Sequence, residues 1–190
     1  MSYSHHRANT RFLWSNPVCS WLDGIHGQEL RSDIYLTGET KDGVVVAPVE
    51  LSDLLERPLV ASLATERPDG TLQCNPMWFR LDGATIKMSH TSTRQKILNW
   101  EANPSVSLCI TDPENTFRYV EVRGHVATLE DDLGARFHRD LRVRYGMDPT
   151  NVPDAAERVV VSVRITYIGG REMADPTKAS DTSDGLRQTH

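Results

Sequence analysis

The chain reads as mainly β (α+β): a small antiparallel barrel, closed or partly closed, with helices packed on its outside. Three observations predict this. Two turn signals, "RPDG" at 67–70 and "DG" at Asp82 and Gly83, join strand-like runs closely enough to make hairpins. Val106, Leu108 and Ile110 alternate with Ser105, Ser107 and Cys109, the period of a half-buried strand. Helical text is confined to short stretches between such runs, and strands joined by hairpins exclude a doubly wound parallel sheet.

Taken in order, residues 1–49 are weakly patterned and read as an N-terminal extension, partly ordered or disordered. "VELSDLLERP" is a short helix with Ser52 as N-cap and Pro58 marking its end. "LVASLATE" is a mostly apolar strand, and "TLQCNPMWFRL" a second one, in which Pro76 demands a sheet edge, a bulge or a break in the ladder. "ATIKMSH" follows the second turn. "HTSTRQKILNW" is a helix, with Ser92 and Gln95 spaced as a capping box. "ANPSVSLCIT" and "FRYVEVRGHVATL" are strands, and Gly124 marks a bend in the latter. "EDDLGARFHRDLRVRYG" is a helix with Leu133, Phe137 and Leu141 on one face and Asp131 and Asp132 at its N-terminus. "ERVVVSVRITYI" closes the domain at about residue 170, and 171–190 read as a polar, disordered tail. Barrel edges need covering, so a dimer is expected.

The chain has 190 residues, and its 38% hydrophobic content is low enough to imply an arm or a tail outside the core. A net charge of −5 argues against broad binding to nucleic acid or acidic membranes. No apolar run approaches the roughly 18 residues that span a bilayer. The segment "MSYSHHRANTRF" lacks the apolar centre of a signal peptide, so a cytoplasmic location is expected. Three widely spaced cysteines suggest reduced thiols, with Cys74 and Cys109 as small buried hydrophobes and no metal site.

Catalytic motifs with a nucleophile, a dinucleotide loop, a P-loop or a zinc-binding helix are absent. His125 and His138 have no evident nucleophile to serve, and read as solvent-facing or structural. Arg94 and Lys96 stand out because they fall in a helix's first turn, where the dipole disfavours cations. Pointing into solvent, they would cost little. With free N–H groups and the hydroxyls of Ser89, Thr91, Ser92 and Thr93 nearby, they would instead converge on a phosphate. Upstream, the proline-broken strand "QCNPMWF" can offer free backbone groups to the edge of a flat heterocycle, while Met77, Trp78 or Phe79 packs on its face. Trp78 and Phe79 read equally well as core or dimer contacts.

The ordered set "DG…NPMWF…DG…R-x-K-x-x-N…NP-x-V-S-L…RYVEVRG" resembles the pyridoxamine-phosphate-oxidase-like split β-barrels, the flavin mononucleotide (FMN)-binding split-barrel fold. The likeness is strongest to their branch of deazaflavin (coenzyme F420)-dependent oxidoreductases and runs over about residues 50–168. It implies a homodimer with cofactor clefts at the subunit interface. It also implies that Arg94 and Lys96 hold the cofactor phosphate or its acidic tail, and that Gln73, Asn75, Pro76 and Trp78 lie along the ring system. Ser89 and Thr91 then fall on the loop entering the phosphate helix, and Tyr119 reaches a cleft from the neighbouring subunit.

The Arg-x-x-Leu-Leu-Lys run of true pyridoxamine phosphate oxidases is missing, which sets vitamin B6 synthesis aside. The activity implied is hydride transfer from reduced F420 to a conjugated planar acceptor such as an enone, quinone or tetrapyrrole, with no particular catalytic side chain assigned. His90 is a candidate proton source. The alternatives are an FMN oxidase or reductase on the same scaffold, and a flavin- or deazaflavin-binding protein without turnover.

Overall fold

The computed structural model describes residues 34–173. Ten strands and three α-helices occur there: β1 (Ile34–Thr37), β2 (Glu39–Lys41), β3 (Val44–Val46), α1 (Ser52–Glu56), β4 (Ala61–Glu66), β5 (Leu72–Met77), β6 (Arg80–Asp82), β7 (Thr85–Thr91), α2 (Gln95–Ala102), β8 (Ser105–Thr111), β9 (Tyr119–Asp131), α3 (Arg136–Arg144) and β10 (Arg158–Glu172). Eight strands form one antiparallel sheet in the order β5-β4-β8-β9-β10-β7-β6, with β1 pairing the far end of β10. The sheet curls around a single core. Leu63 of β4, Ile86 and Met88 of β7, Leu108 and Ile110 of β8, Val120 and Val122 of β9 and Val161 and Val163 of β10 all belong to it, sealed by Leu54 and Leu55 of α1. This is the split antiparallel barrel with outer helices that the sequence predicts.

The turns form for the expected reasons. Gly70 (φ +82) closes the β4–β5 hairpin, and the Asp69 carboxylate accepts hydrogen bonds from the Thr71 N–H (3.0 Å) and hydroxyl (2.6 Å). Gly124 sits where β9 meets an irregularity in β10, at the register shift between Ile165 and Tyr167. A Cβ there would lie 2.3 Å from the Arg164 carbonyl oxygen, so the position excludes a side chain. Arg118 joins Asp112 (2.9 Å) and the Asp53 carboxylate, which clamps α1 onto the turn between β8 and β9.

Several local expectations are corrected. The run 71–81 is two strands, β5 and β6, broken at Trp78 and Phe79; β5 is the sheet edge, which is how Pro76 is accommodated without a lost ladder bond. No capping box forms at Ser92: α2 starts at Gln95, with Arg94 as an extended N-cap residue that makes no side-chain cap. The α3 helix begins at Arg136 rather than near 130, because Gly134 and Ala135 adopt positive φ. Asp132 then reaches forward to accept the N–H groups of Phe137 and His138, both at 2.9 Å. That break leaves Leu133 85% exposed, whereas Phe137 and Leu141 are buried. Cys74 is exposed and Cys109 half-buried, because their strand positions alternate onto the outer face of the sheet.

Residues 34–49 of the expected N-terminal extension contribute β1, β2 and β3; the rest of it, and 174–190 of the expected tail, lie outside the described residues. Among the described residues no helix is long and apolar enough to cross a membrane.

Candidate cofactor cleft

Strand alternation aims Gln73, Asn75 and Met77 of the edge strand β5 to one side. Facing them are Ser89, His90 and Thr91 at the end of β7, then the turn through Thr93 and Arg94 into α2. Together with Gln95, Lys96 and Arg158 they line a cleft of about 460 Å³. Arg158 comes from far along the chain: antiparallel register places it opposite Thr91, and a two-pronged contact with Asp154 (3.0 and 2.7 Å) holds its guanidinium.

The two cations at the start of α2 have different fates. Arg94 is exposed and rests its Nε on the Thr91 hydroxyl at 3.2 Å. Lys96 is 6% exposed, and among the described residues it has no hydrogen bond or ion pair. Burial, and then the neighbouring Arg94, pulls its ammonium below the ordinary lysine range. Its carbon chain is enclosed while the ammonium keeps access to the cleft, where an anion would pair it. Two further groups lack a partner among the described residues: the hydroxyl of Ser89, a residue 8% exposed, and His90 Nε2.

His90 stacks edge-on to Trp100 with centroids 5.8 Å apart. Burial, then Lys96, Arg94 and Arg158, push its pKa down to about 4. Its Nδ1 accepts the Thr91 N–H at 3.2 Å, which leaves the proton of the neutral ring on Nε2. His90 therefore stands neutral beside the cleft, with its Nε2–H buried and unpaired among the described residues.

Behind the cleft runs a relay of side-chain amides. Gln95 Nε2 donates to Asn99 Oδ1 (3.1 Å), and Asn99 Nδ2 donates to Thr65 Oγ1 (2.9 Å) and Gln73 Oε1 (3.0 Å). Asn99 is completely buried. With its carbonyl engaged, Gln73 has its NH₂ left to give.

A second, more apolar compartment of about 350 Å³ adjoins the first, sharing Met77, Ser89 and Arg158 with it. Val60, Pro76, Trp78, His138 and Leu141 complete its walls. Trp78 lies flat against Tyr145, with centroids 4.7 Å apart and planes 10° from parallel. The Tyr145 hydroxyl donates to the Leu59 carbonyl (2.7 Å) and accepts from the Phe79 N–H (3.1 Å), so it pins the break between β5 and β6. Phe79 itself is wholly buried in the core.

Of the residues expected in the site, Gln73, Asn75, Ser89, Thr91, Arg94 and Lys96 meet in the first compartment, and Pro76 and Trp78 in the second. Tyr119 does not join them: it lies on β9 opposite Thr111 and Arg171, and lines neither compartment of its own chain. Sequence reasoning missed Arg158, Val60, Leu141, the lining role of His138 and the relay through Asn99. The asparagine of R-x-K-x-x-N was the one signal available, since it lies one helical turn after Gln95.

A family model described as pyridoxamine 5'-phosphate oxidase matches residues 47–171. A solved structure of an F420 reductase is 44% identical; the match covers 64% of this chain and 98% of that one, with a TM-score of 0.61. Two more distant structures share the fold. One is a conserved hypothetical protein from Mycobacterium tuberculosis (19% identity, 72% and 96% coverage, TM-score 0.52). The other is a FAD-binding protein from Mesorhizobium loti (22% identity, 68% and 96% coverage, TM-score 0.53). No curated protein matches the chain.

Proposed function

The chain belongs to the pyridoxamine 5'-phosphate oxidase family, on the F420 branch of its split barrels, and from that premise we propose that it is an F420-dependent reductase of conjugated planar acceptors. One observation carries the choice of cleft: Lys96 is buried and unpaired at the start of α2, beside Arg94 and the orphaned hydroxyl of Ser89. That donor set suits a phosphate or a carboxylate-bearing tail. Gln73, Asn75 and Met77 then line the path of a ring system, with Pro76 and Trp78 at its far end.

Reduced deazaflavin supplies a hydride when bound, so this chain's own work is to bind, orient and exclude water. Lys96 and Arg94 neutralise the anionic group, Gln73 donates toward the ring edge, and the Trp78–Tyr145 stack keeps an apolar wall beside it. His90, neutral at physiological pH, adds no charge to the cleft. The acceptors are enones, quinones or tetrapyrroles. The enzyme works as a cytoplasmic homodimer, with clefts at the subunit interface and Tyr119 lent by the neighbouring subunit.

Titration of the purified full chain with F420 and with FMN tests this reading. Tight binding of F420 is expected, and the double variant Arg94→Ala, Lys96→Ala weakens it by about tenfold or more, about 1.4 kcal/mol. Unchanged affinity in the folded double variant would remove the phosphate assignment. Reduced F420 offered with enones, quinones and biliverdin should be oxidised only when the protein is present. Binding of FMN alone would instead establish the flavin enzyme, and F420 binding without turnover a carrier.

A further inference from the structure

The break between β5 and β6 is held by a side chain from far along the sequence. Trp78 and Phe79 occupy the break and part company there: Phe79 is wholly buried in the core, while Trp78 lines the second compartment. Residues in a break have no ladder to satisfy their backbone groups, so those groups need other partners. Tyr145 supplies them. Its hydroxyl accepts the Phe79 N–H at 3.1 Å and donates to the Leu59 carbonyl at 2.7 Å, with the Phe79 carbonyl next nearest at 3.2 Å. Leu59 leads into β4, the neighbour of β5, so one hydroxyl ties the break to the adjoining strand.

The same residue fixes the plane of Trp78. The Tyr145 ring covers one indole face, with centroids 4.7 Å apart and planes 10° from parallel. Tyr145 is itself held in place. Its N–H donates to the Leu141 carbonyl at 2.9 Å at the end of α3, and Arg144 beside it donates to the Arg57 carbonyl at 2.9 Å. Burial raises the pKa of the phenol, which keeps its O–H available to donate. Tyr145 lines neither compartment, so it acts on them only through Trp78 and the backbone at Phe79.

An indole free to turn about its side-chain torsions loses that freedom when a flat ligand settles on it, which weakens binding. In this chain the indole is ordered before any ligand arrives. We propose that Tyr145 is a positioning residue for the cofactor ring: its hydroxyl sets the backbone of the break, its ring sets the indole plane, and together they preform the wall that Trp78 gives the ring. This rests on the reading of the cleft as the cofactor site and adds to it a residue that touches no cofactor. A preformed wall favours the ring system alone, so the anion-binding end of the cleft does not depend on Tyr145.

The test compares the full chain with Tyr145→Phe, which keeps the ring and loses the hydroxyl, and with Tyr145→Leu, which loses both. In the free wild-type protein the Trp78 indole N–H, identified by its loss in Trp78→Phe, should give one narrow resonance, with cross-relaxation between the Trp78 and Tyr145 rings. Tyr145→Phe should broaden that resonance and weaken F420 binding about threefold, and Tyr145→Leu about tenfold or more. Pyrophosphate, which occupies only the anion-binding end, should bind both variants within about twofold of the wild type. Unchanged F420 affinity in folded Tyr145→Leu, or equal losses for F420 and pyrophosphate, would overturn the proposal. So would a broad indole resonance without cross-relaxation in the free wild type, even if neither variant folded. The cofactor reading fails separately, through unchanged F420 affinity in the Arg94 and Lys96 double variant, and that result would leave the free-protein resonance standing.

Discussion

Asn99 donates a 3.0 Å hydrogen bond to the side-chain carbonyl of Gln73, and this contact ties the first turns of α2 to the edge strand β5. The helix that carries Lys96 and the strand that runs along the cleft are thereby held in one register. Asn99→Leu leaves Gln73, Gln95 and the Thr65 hydroxyl without their shared partner, so a loss of about 2–3 kcal/mol is expected in urea unfolding. The same variant lets the Gln73 amide turn freely, so F420 affinity should fall although Asn99 is remote from the lining. Unchanged affinity at full saturation of the folded variant would separate Asn99 from the site.

Lys96 sets stability against binding. In the ligand-free protein its carbon chain is buried and its ammonium has no counter-charge among the described residues, and Lys96→Met replaces it with an apolar chain of similar length. The variant should be more stable by about 1–2 kcal/mol and bind F420 about tenfold or more weakly. Arg94→Ala, made at an exposed position, should alter stability by less than about 0.5 kcal/mol and weaken binding in a salt-dependent manner. Thermal melts and titrations at two ionic strengths distinguish the two residues.

His90 predicts an acid sensitivity. Its pKa falls from 6.5 in the unfolded chain to about 4 in the folded one, so the unfolded state binds the proton more readily between those values. Stability is therefore whole above pH 6.5 and is lost as pH falls toward 4, by on the order of 3 kcal/mol from this residue. His90→Gln should flatten the stability–pH curve over that window, as measured by denaturant midpoints. An identical slope in both proteins would show that other groups govern the acid limb.

Gly124 tests the barrel's shape. Any side chain there meets the Arg164 carbonyl at 2.3 Å and a Val163 methyl at 2.9 Å, and neither is a flexible chain end. Gly124→Ala should cost about 3 kcal/mol or more, or abolish soluble expression, whereas Gly43→Ala, in an open turn with φ +78, should cost about 1 kcal/mol. Parallel unfolding curves of the two variants provide the comparison.

Local text carried most of the strand order and six residues of the cleft's first compartment. Turn residues and alternation act between near neighbours, and Gln73, Asn75, Ser89, Thr91, Arg94 and Lys96 fall in two short segments whose residue types already match an anion and a flat ring. Spacing also marked Arg94 and Lys96 as a pair. It could not say that one is exposed and the other enclosed, because enclosure depends on what the rest of the chain packs against the start of α2. Cys74 was misread for a related reason: alternation reveals two faces of a strand but not which face the sheet leaves open.

Arg158, His138 and the direction of the Gln73 amide were invisible in the order of residues. Arg158 depends on the register of β10 against β7, and His138 on where Asp132 starts α3 after the break at Gly134. The Gln73 amide depends on the partner that Asn99 offers it. Sequence patterns report short-range conformational preference and the sidedness of burial. The meeting of residues far apart in the chain depends on how the curled sheet closes its core, and that closure made one cleft with two unlike compartments.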